Sequence, residues 1–291
     1  MMRAPYRVLS RRRAAGLVAW VLLLILGARA EAAQEPDMSE VLIRRVEHKD
    51  WDVIPAMKGA SPAVVDDLVV LARSSSDSEV RELALWCLNQ ADGAKARSAF
   101  VAALKDPGED IRDKALRFLH RNHDAADLPA LLPHLTSHPD DFVREQVALI
   151  IGEIGSRSAI PDLERALAQP QPEPVPHAIR LALARLGQPA SRAEIFAGLS
   201  KATVSERRAA LEDFAYIADP GETHRLIPLL SDRRPAVNIG RSGTTNTIRV
   251  CDLTVEVVSS ILREPFSFST ETRRSFSDEE LAEAGRVISG P

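Results

Sequence analysis

Four of the seven histidines fall close together: His120 and His123 end one amphipathic stretch, and His134 and His138 stand four residues apart in the next. Imidazole is a usual ligand for zinc and related ions, and neighbouring helices would bring such a set within range of one another. Their spacings match no metal-binding pattern, so solvated side chains are the simpler reading. A second stretch, "GRSGTTNT" at 240–247, has the small residues of a phosphate-cradling loop. It lacks the Gly-Lys-Ser/Thr core and the strand–loop–helix surroundings that such a loop needs. Cys87 and Cys251 offer thiol chemistry, or by arithmetic one disulfide. No G-x-S-x-G, no H-E-x-x-H and no nucleophile beside a base occurs in the chain. The residues therefore predict no catalytic, metal or cofactor set.

The elements that carry these groups repeat. "EVRELALWCL" at 79–88 returns as "DIRDKALRFL" at 110–119 and as "FVREQVALII" at 142–151. Aligned on Val80, Ile111 and Val143, the steps are 31 and 32 residues; further steps reach Val175 and Glu206, the latter a departure from the apolar type. Self-similarity at this period marks stacked supersecondary units. In each second half a small or β-branched residue follows the anchor by four (Ala84, Ala115, Val147, Ile179, Ala210) and a large apolar one by eight (Leu88, Leu119, Ile151, Leu183, Phe214). The first halves, such as "VVDDLVVLARS" at 64–74 and "DLPALLPHLTS" at 127–137, repeat apolar residues at i, i+3, i+4 and i+7. Pro129 and Pro161 suit first turns, while Gly155 and Gly187 suit left-handed caps. Aromatic residues make up only 4% of the chain, so close helix–helix contact through Ala and Leu must fill the core.

Helical pairs of this length, with "VRxxA" in the second helix and an acidic turn before it, resemble the HEAT-like repeats of the phycobilisome-lyase type over residues 62–263. The resemblance implies an all-α fold, an α–α superhelix of about six helical pairs. It also implies a surface that binds another protein or peptide, enzymes being the minority within that repeat class. The sixth pair departs from phase: about a dozen residues, 238–249, are inserted between its helices. "AVNIGRSGTTNTIRV" sets β-branched arms around a Gly/Ser/Asn centre, which predicts a hairpin or ordered loop, outside the repeating apolar face. Its candidate recognition residues are Asn238, Arg241, Thr244, Thr245 and Asn246.

The face opposite the core, at two, six and nine residues past each anchor, holds the candidate partner-binding residues: Trp86, Arg117, His120, Glu145, His177, Arg208, Glu212, Asp252 and Glu256. In a superhelix this face lines the concave side. Trp86 is either an interface anchor or covered by residues 35–60 acting as a cap. The arginines one past the anchor, Arg81, Arg112, Arg144 and Arg207, predict a structural ladder to acids of the preceding turn or neighbouring unit. Five unit steps would hold Cys87 and Cys251 roughly 40–50 Å apart, far beyond the reach of a disulfide. Cys87 is expected buried and Cys251 less so.

Residues 1–30 combine Arg3, Arg7 and Arg11–Arg13 with an uncharged stretch at 14–27 and Ala28-Arg29-Ala30. That pattern predicts a signal peptide, with cleavage before Glu31 or Ala33 and a periplasmic or secreted bacterial protein; an N-terminal membrane anchor is the alternative. Those thirty residues contain six Arg and no acid, so the 37 basic residues fall to 31 against 41 acidic, a net charge of −10. Such a surface suits neither nucleic acid nor an anionic membrane. Residues 31–61 are expected to link and cap, and 264–291 to cap the last pair with Phe266, Phe268 and Phe276. Together these features predict a non-catalytic exported scaffold or adaptor. A lyase-like enzyme or accessory and a structural envelope component are the alternatives.

Overall fold

In the computed structural model, which describes residues 37–241, 244–263 and 265–290, the periodic stretches are helices and a single hairpin supplies the only strands among the described residues. The expected signal segment, 1–30, lies outside the described residues. Two compact units divide the chain between Asp92 and Gly93, inside the span 62–263 expected as one array.

The first unit holds α1 (Met38–Glu47), a 3-10 segment (Trp51–Met57), α2 (Pro62–Ser74) and α3 (Ser78–Ala91). Ser61 accepts from the Val64 amide while Pro62 occupies the first turn of α2, so that helix starts where two signals agree. The N-terminal segment packs over the repeat: the 3-10 segment lies on α3, with Val53 and Met57 fully buried. Lys49 Nζ is 2.5 Å from Asp77 and 3.3 Å from Glu79, and Trp51 Nε1 donates to Glu79 at 3.2 Å. Trp86 is half-buried, its Nε1 donating to Glu82 at 3.4 Å.

The second unit continues as helical pairs: α4 (Gly93–Ala103) with α5 (Glu109–Arg121), α6 (Leu128–Ser137) with α7 (Asp141–Ile154), α8 (Ile160–Leu167) with α9 (Val175–Arg185), and α10 (Pro189–Ala197) with α11 (Val204–Ile217). The residues eight past each anchor are its core, Leu119, Ile151, Leu183 and Phe214 each being 1% exposed or less. Gly155 takes φ 75° and Gly187 φ 89° as their helices end, the left-handed conformation that a side chain resists. Gly152 serves a different need. A Cβ there would lie 2.9 Å from Ala182 Cα and against the Tyr216 hydroxyl, so α7 and α9 approach to near backbone contact. Tyr216 uses the same gap to donate to Leu149 O at 2.6 Å.

The arginine ladder is structural, and its main partners are carbonyls. Arg112 Nη1 donates to Asp106 O at 2.9 Å and Pro107 O at 3.2 Å, six and five residues back; Arg81 does the same to Ser75 O and Ser76 O. Arg144 reaches His138 O, and Arg207 Nε reaches Lys201 O at 2.7 Å. Each arginine thus closes the turn between its two helices. Arg112 and Arg207 also extend to the following turn, at Asp140 (3.2 Å) and Asp232 (2.7 Å).

The sixth pair is irregular. Its first half is a continuous 3-10 run, Pro220–Ser231, with Pro228 inside it, a residue that cannot donate the amide hydrogen bond of an α-helix. Strands β1 (Pro235–Arg241) and β2 (Thr244–Arg249) then form an antiparallel hairpin, with Asn238 opposite Thr247 and Arg241 opposite Thr244. α12 (Val250–Leu262) completes the pair, and α13 (Asp278–Ser289) follows a segment without helix. Three expectations are corrected here. The insertion does enter the core, since Ile248 is fully buried. Cys251 is as buried as Cys87, and both are free thiols; its neighbours Ile248 and Val250 bring it inside. Asp252 does not lie on an exposed face, being 0% exposed beneath the hairpin end and the C-terminal segment.

Candidate functional site

Asp252 shows how this end of the molecule is built. Its Oδ2 accepts from the Arg249 amide and Nε, both at 2.8 Å, and its Oδ1 from Arg249 Nη2 at 2.7 Å and the Phe276 amide at 2.9 Å. Burial works against the charge, but these donors hold the carboxyl below the usual carboxylate range. Arg249 Nη2 also donates to Phe276 O at 2.7 Å. Around this node Phe276 is buried, with Phe268 tilted on it at 5.4 Å and Arg274 over its ring at 4.4 Å.

One turn along α12, the same construction leaves a cleft. α11 packs on α12, and β1 meets α11. Between them is an opening of about 380 Å³, walled by Leu211, Ala215, Val237, Leu253 and Val257, with Arg208, Glu212, Glu256 and Arg273 as its charged groups. A second opening of about 680 Å³ shares Glu256, Ser260 and Arg273 with the first and adds Ser259, Thr270 and Glu271. Glu256 stands in the partition between them. Its Oε2 accepts from Arg273 Nε at 3.1 Å, while its Oε1 is shielded from solvent and accepts from no protein group among the described residues. Burial pushes the Glu256 carboxyl up, against the pull of Arg273. Arg208 and Glu212, one turn apart on α11, are exposed, and neither has a hydrogen-bond or ion-pair partner among the described residues.

The other face residues are placed along the array in inter-helix pairs. His120 Nδ1 lies 2.8 Å from Glu153 and its Nε2 lies 3.0 Å from Gln146; although burial opposes it, Glu153 raises the His120 pKa. His177 Nε2 lies 3.1 Å from Asp213, which raises its pKa against burial. Glu145 is half-buried, and burial raises its carboxyl. Arg117 is exposed. The structure therefore brings Arg208, Glu212 and Glu256 to one cleft, while Arg117, His120, Glu145 and His177 lie on other helices and Trp86 in the other unit. Asn238 is exposed and pairs through Thr247 Oγ1 at 3.1 Å. The side chains of Arg241, Thr244, Thr245 and Asn246 lie outside the described residues, though their backbone is strand. "GRSGTTNT" thus belongs to a hairpin rather than to a loop before a helix. His134 and His138 have ring centroids 5.6 Å apart, and among the described residues no three His, Cys, Asp or Glu side chains gather as metal ligands would. Arg273 and Ser260 were not legible as site residues: Arg273 lies in a segment without period, and only the adjacent "RRSF" hints at a packed arginine.

Residues 65–149 and 128–215 match the family model for HEAT repeats, together more than half of the chain. The chain belongs to the HEAT-repeat family. Among curated proteins this HEAT-repeat chain is similar to the bilin biosynthesis protein PecE of Mastigocladus laminosus, at 29% identity over 122 residues, 40% of this chain and 45% of that protein. It thus spans about half the length of the curated relative it matches. Among solved structures it is similar to the complex of CpcE and CpcF of phycocyanin lyase from Nostoc sp. PCC7120, with TM-score 0.44 and 18% identity, covering 89% of this chain and 96% of that one. The expectation of a non-catalytic chain is corrected by the first likeness, since PecE is by its description a biosynthesis protein. The repeat class and the absence of familiar catalytic motifs carried that expectation, and neither excludes participation in chemistry. Among the described residues no helix is long and apolar enough to cross a membrane.

Proposed function

We propose that this chain is a HEAT-repeat component in a lyase-related role, which engages a protein partner at the α11–α12 face and carries out that role after export. The observation that carries the reading is the convergence of Arg208, Glu212 and Glu256 on one cleft of about 380 Å³ with an apolar wall. Concave, mostly apolar openings with a few placed polar groups are where ligands and partner side chains are held. The likeness over 122 residues to PecE, described as a bilin biosynthesis protein, together with the repeat's resemblance to the phycobilisome-lyase type, supports the lyase-related part, and the pattern of residues 1–30 supports export.

A photo-crosslinking residue at position 212, in the organism's own cells, tests the reading. A discrete adduct with another protein is expected from position 212 and none from Glu164, an exposed residue of α8. Addition of a linear tetrapyrrole to the purified chain, followed by absorption spectroscopy, tests the lyase-related part. A shift that Glu256→Gln abolishes supports it, and unchanged spectra count against it.

A further inference from the structure

The cleft between α11 and α12 has a charge pattern more specific than its shape. Two acids and two arginines line it: Glu256 and Glu212, Arg273 and Arg208. Arg273 is committed to Glu256 Oε2, which fixes the carboxylate plane and leaves Oε1 as a shielded acceptor without a protein donor among the described residues. A buried acceptor lacking a donor is uncommon in a native structure and calls for an explanation. At the exposed side Arg208 and Glu212 have no partner among the described residues, so one donor and one acceptor remain available there. Between these polar ends Leu211, Ala215, Val237, Leu253 and Val257 supply apolar wall.

With Glu256 ionised the four charges sum to zero. A ligand that is only a cation would meet Arg208 unfavourably, and a ligand that is only an anion would meet Glu212. A ligand with one positive donor group and one carboxylate, joined by an apolar body, supplies a partner to Glu256 Oε1 and to Arg208 and leaves Glu212 to solvent. We propose that this cleft binds a short apolar peptide with free termini: its ammonium donates to Glu256 Oε1, its carboxylate receives Arg208, and its side chains lie on the Leu211–Val257 wall. Glu212 beside Arg208 disfavours a second carboxylate, so acidic peptides are excluded. The opening, about 380 Å³, falls at the small end of ligand pockets, which suits a dipeptide. The proposal rests on the cleft alone and not on the lyase-related role.

Isothermal titration of the purified full chain with Leu-Leu, its N-acetyl form and its C-terminal amide tests the assignment. Saturable binding of Leu-Leu below about 1 mM is expected, with each capped form at least roughly tenfold weaker, equivalent to about 1.4 kcal/mol. Arg208→Met should weaken Leu-Leu to the level of the amide and leave the amide itself unchanged. Glu256→Gln should do the same relative to the N-acetyl form. If Glu256→Gln fails to fold by circular dichroism, the N-acetyl titration on the unaltered chain still decides the ammonium contact. No saturation with Leu-Leu, or equal affinity for free and capped peptides, overturns the proposal. A retained crosslink at position 212 together with a failed titration would separate this failure from that of the protein-partner reading.

Discussion

Arg112 joins two successive turns of the array: its Nη1 donates to Asp106 O at 2.9 Å in its own turn, while its Nη2 lies 3.2 Å from Asp140 Oδ2 in the next. The guanidinium is the only side chain whose fork can serve a carbonyl pair and a carboxylate together.

Replacing Arg112 with Met should therefore cost about 1–3 kcal/mol, the range for losing charge-assisted hydrogen bonds and leaving carbonyls unmet. Arg112→Lys should recover little, because a point charge cannot span both turns. Urea unfolding monitored by circular dichroism measures both; a lysine variant as stable as the native chain would show that charge alone matters.

Gly152→Ala should destabilise by about 1–3 kcal/mol, as overpacking does, since its methyl would press on Ala182 Cα and displace the Tyr216 hydroxyl. Tyr216→Phe in the same background should relieve part of that cost. A double-mutant cycle on thermal unfolding reads the coupling.

The pH dependence has two opposing parts. His134 is 5% exposed, and burial, then Lys105 and His138, push its pKa down to about 4. It is neutral when folded, so its stabilisation is complete above the unfolded value of about 6.5 and is lost as pH falls towards about 4. The loss is about 3 kcal/mol at most. His120 and His177 are raised by their carboxylate partners, so their stabilisation is present below the unfolded value and disappears as pH rises through the raised one. His134→Asn should make unfolding less acid-sensitive and His177→Gln more so, compared by denaturation at about pH 7 and about pH 4.

Within the hairpin, Ile248→Ala should cost about 2–5 kcal/mol through a cavity, because Ile248 is fully buried. Asn238→Ala, on the paired strand one residue beyond the partner of Ile248 but exposed, should stay within about 0.5 kcal/mol. Equal losses would show the strand arms to be one structural block.

A reporter enzyme active only outside the cytoplasm, fused after residue 40, should be switched on if residues 1–30 direct export. A mature N-terminus at Glu31 or Ala33 is the expected product, and a chain still beginning at Met1 would contradict cleavage.

The repeat was readable because each α-helix turns 100° per residue, so Val80, Ala84 and Leu88 can share one face only in a helix. Gly155 and Gly187 announced their caps for the same local reason. Asp252 was misplaced by that very reasoning. A helical wheel sets it opposite the core, but the wheel assumes water on that side, and here Arg249 and Phe276 cover it. The Glu256–Arg273 contact escaped because Arg273 comes from a segment with no period, 17 residues later. The sixth pair kept its apolar residues and its second helix, while its first half is a 3-10 run with Pro228 inside.

The Asp252 carboxylate fastens three pieces that differ in origin along the chain: the end of the hairpin, the start of α12 and the approach to α13. Anyone trimming this protein must keep the stretch from about residue 235 to 290 together and with the helices before it, since one buried core runs from Leu181 to Ile288. A cut anywhere between Leu262 and Phe276 would take the Phe276 amide, one of its four N–H donors, from a buried negative charge, so fusion partners belong after residue 290 and not in the segment before α13.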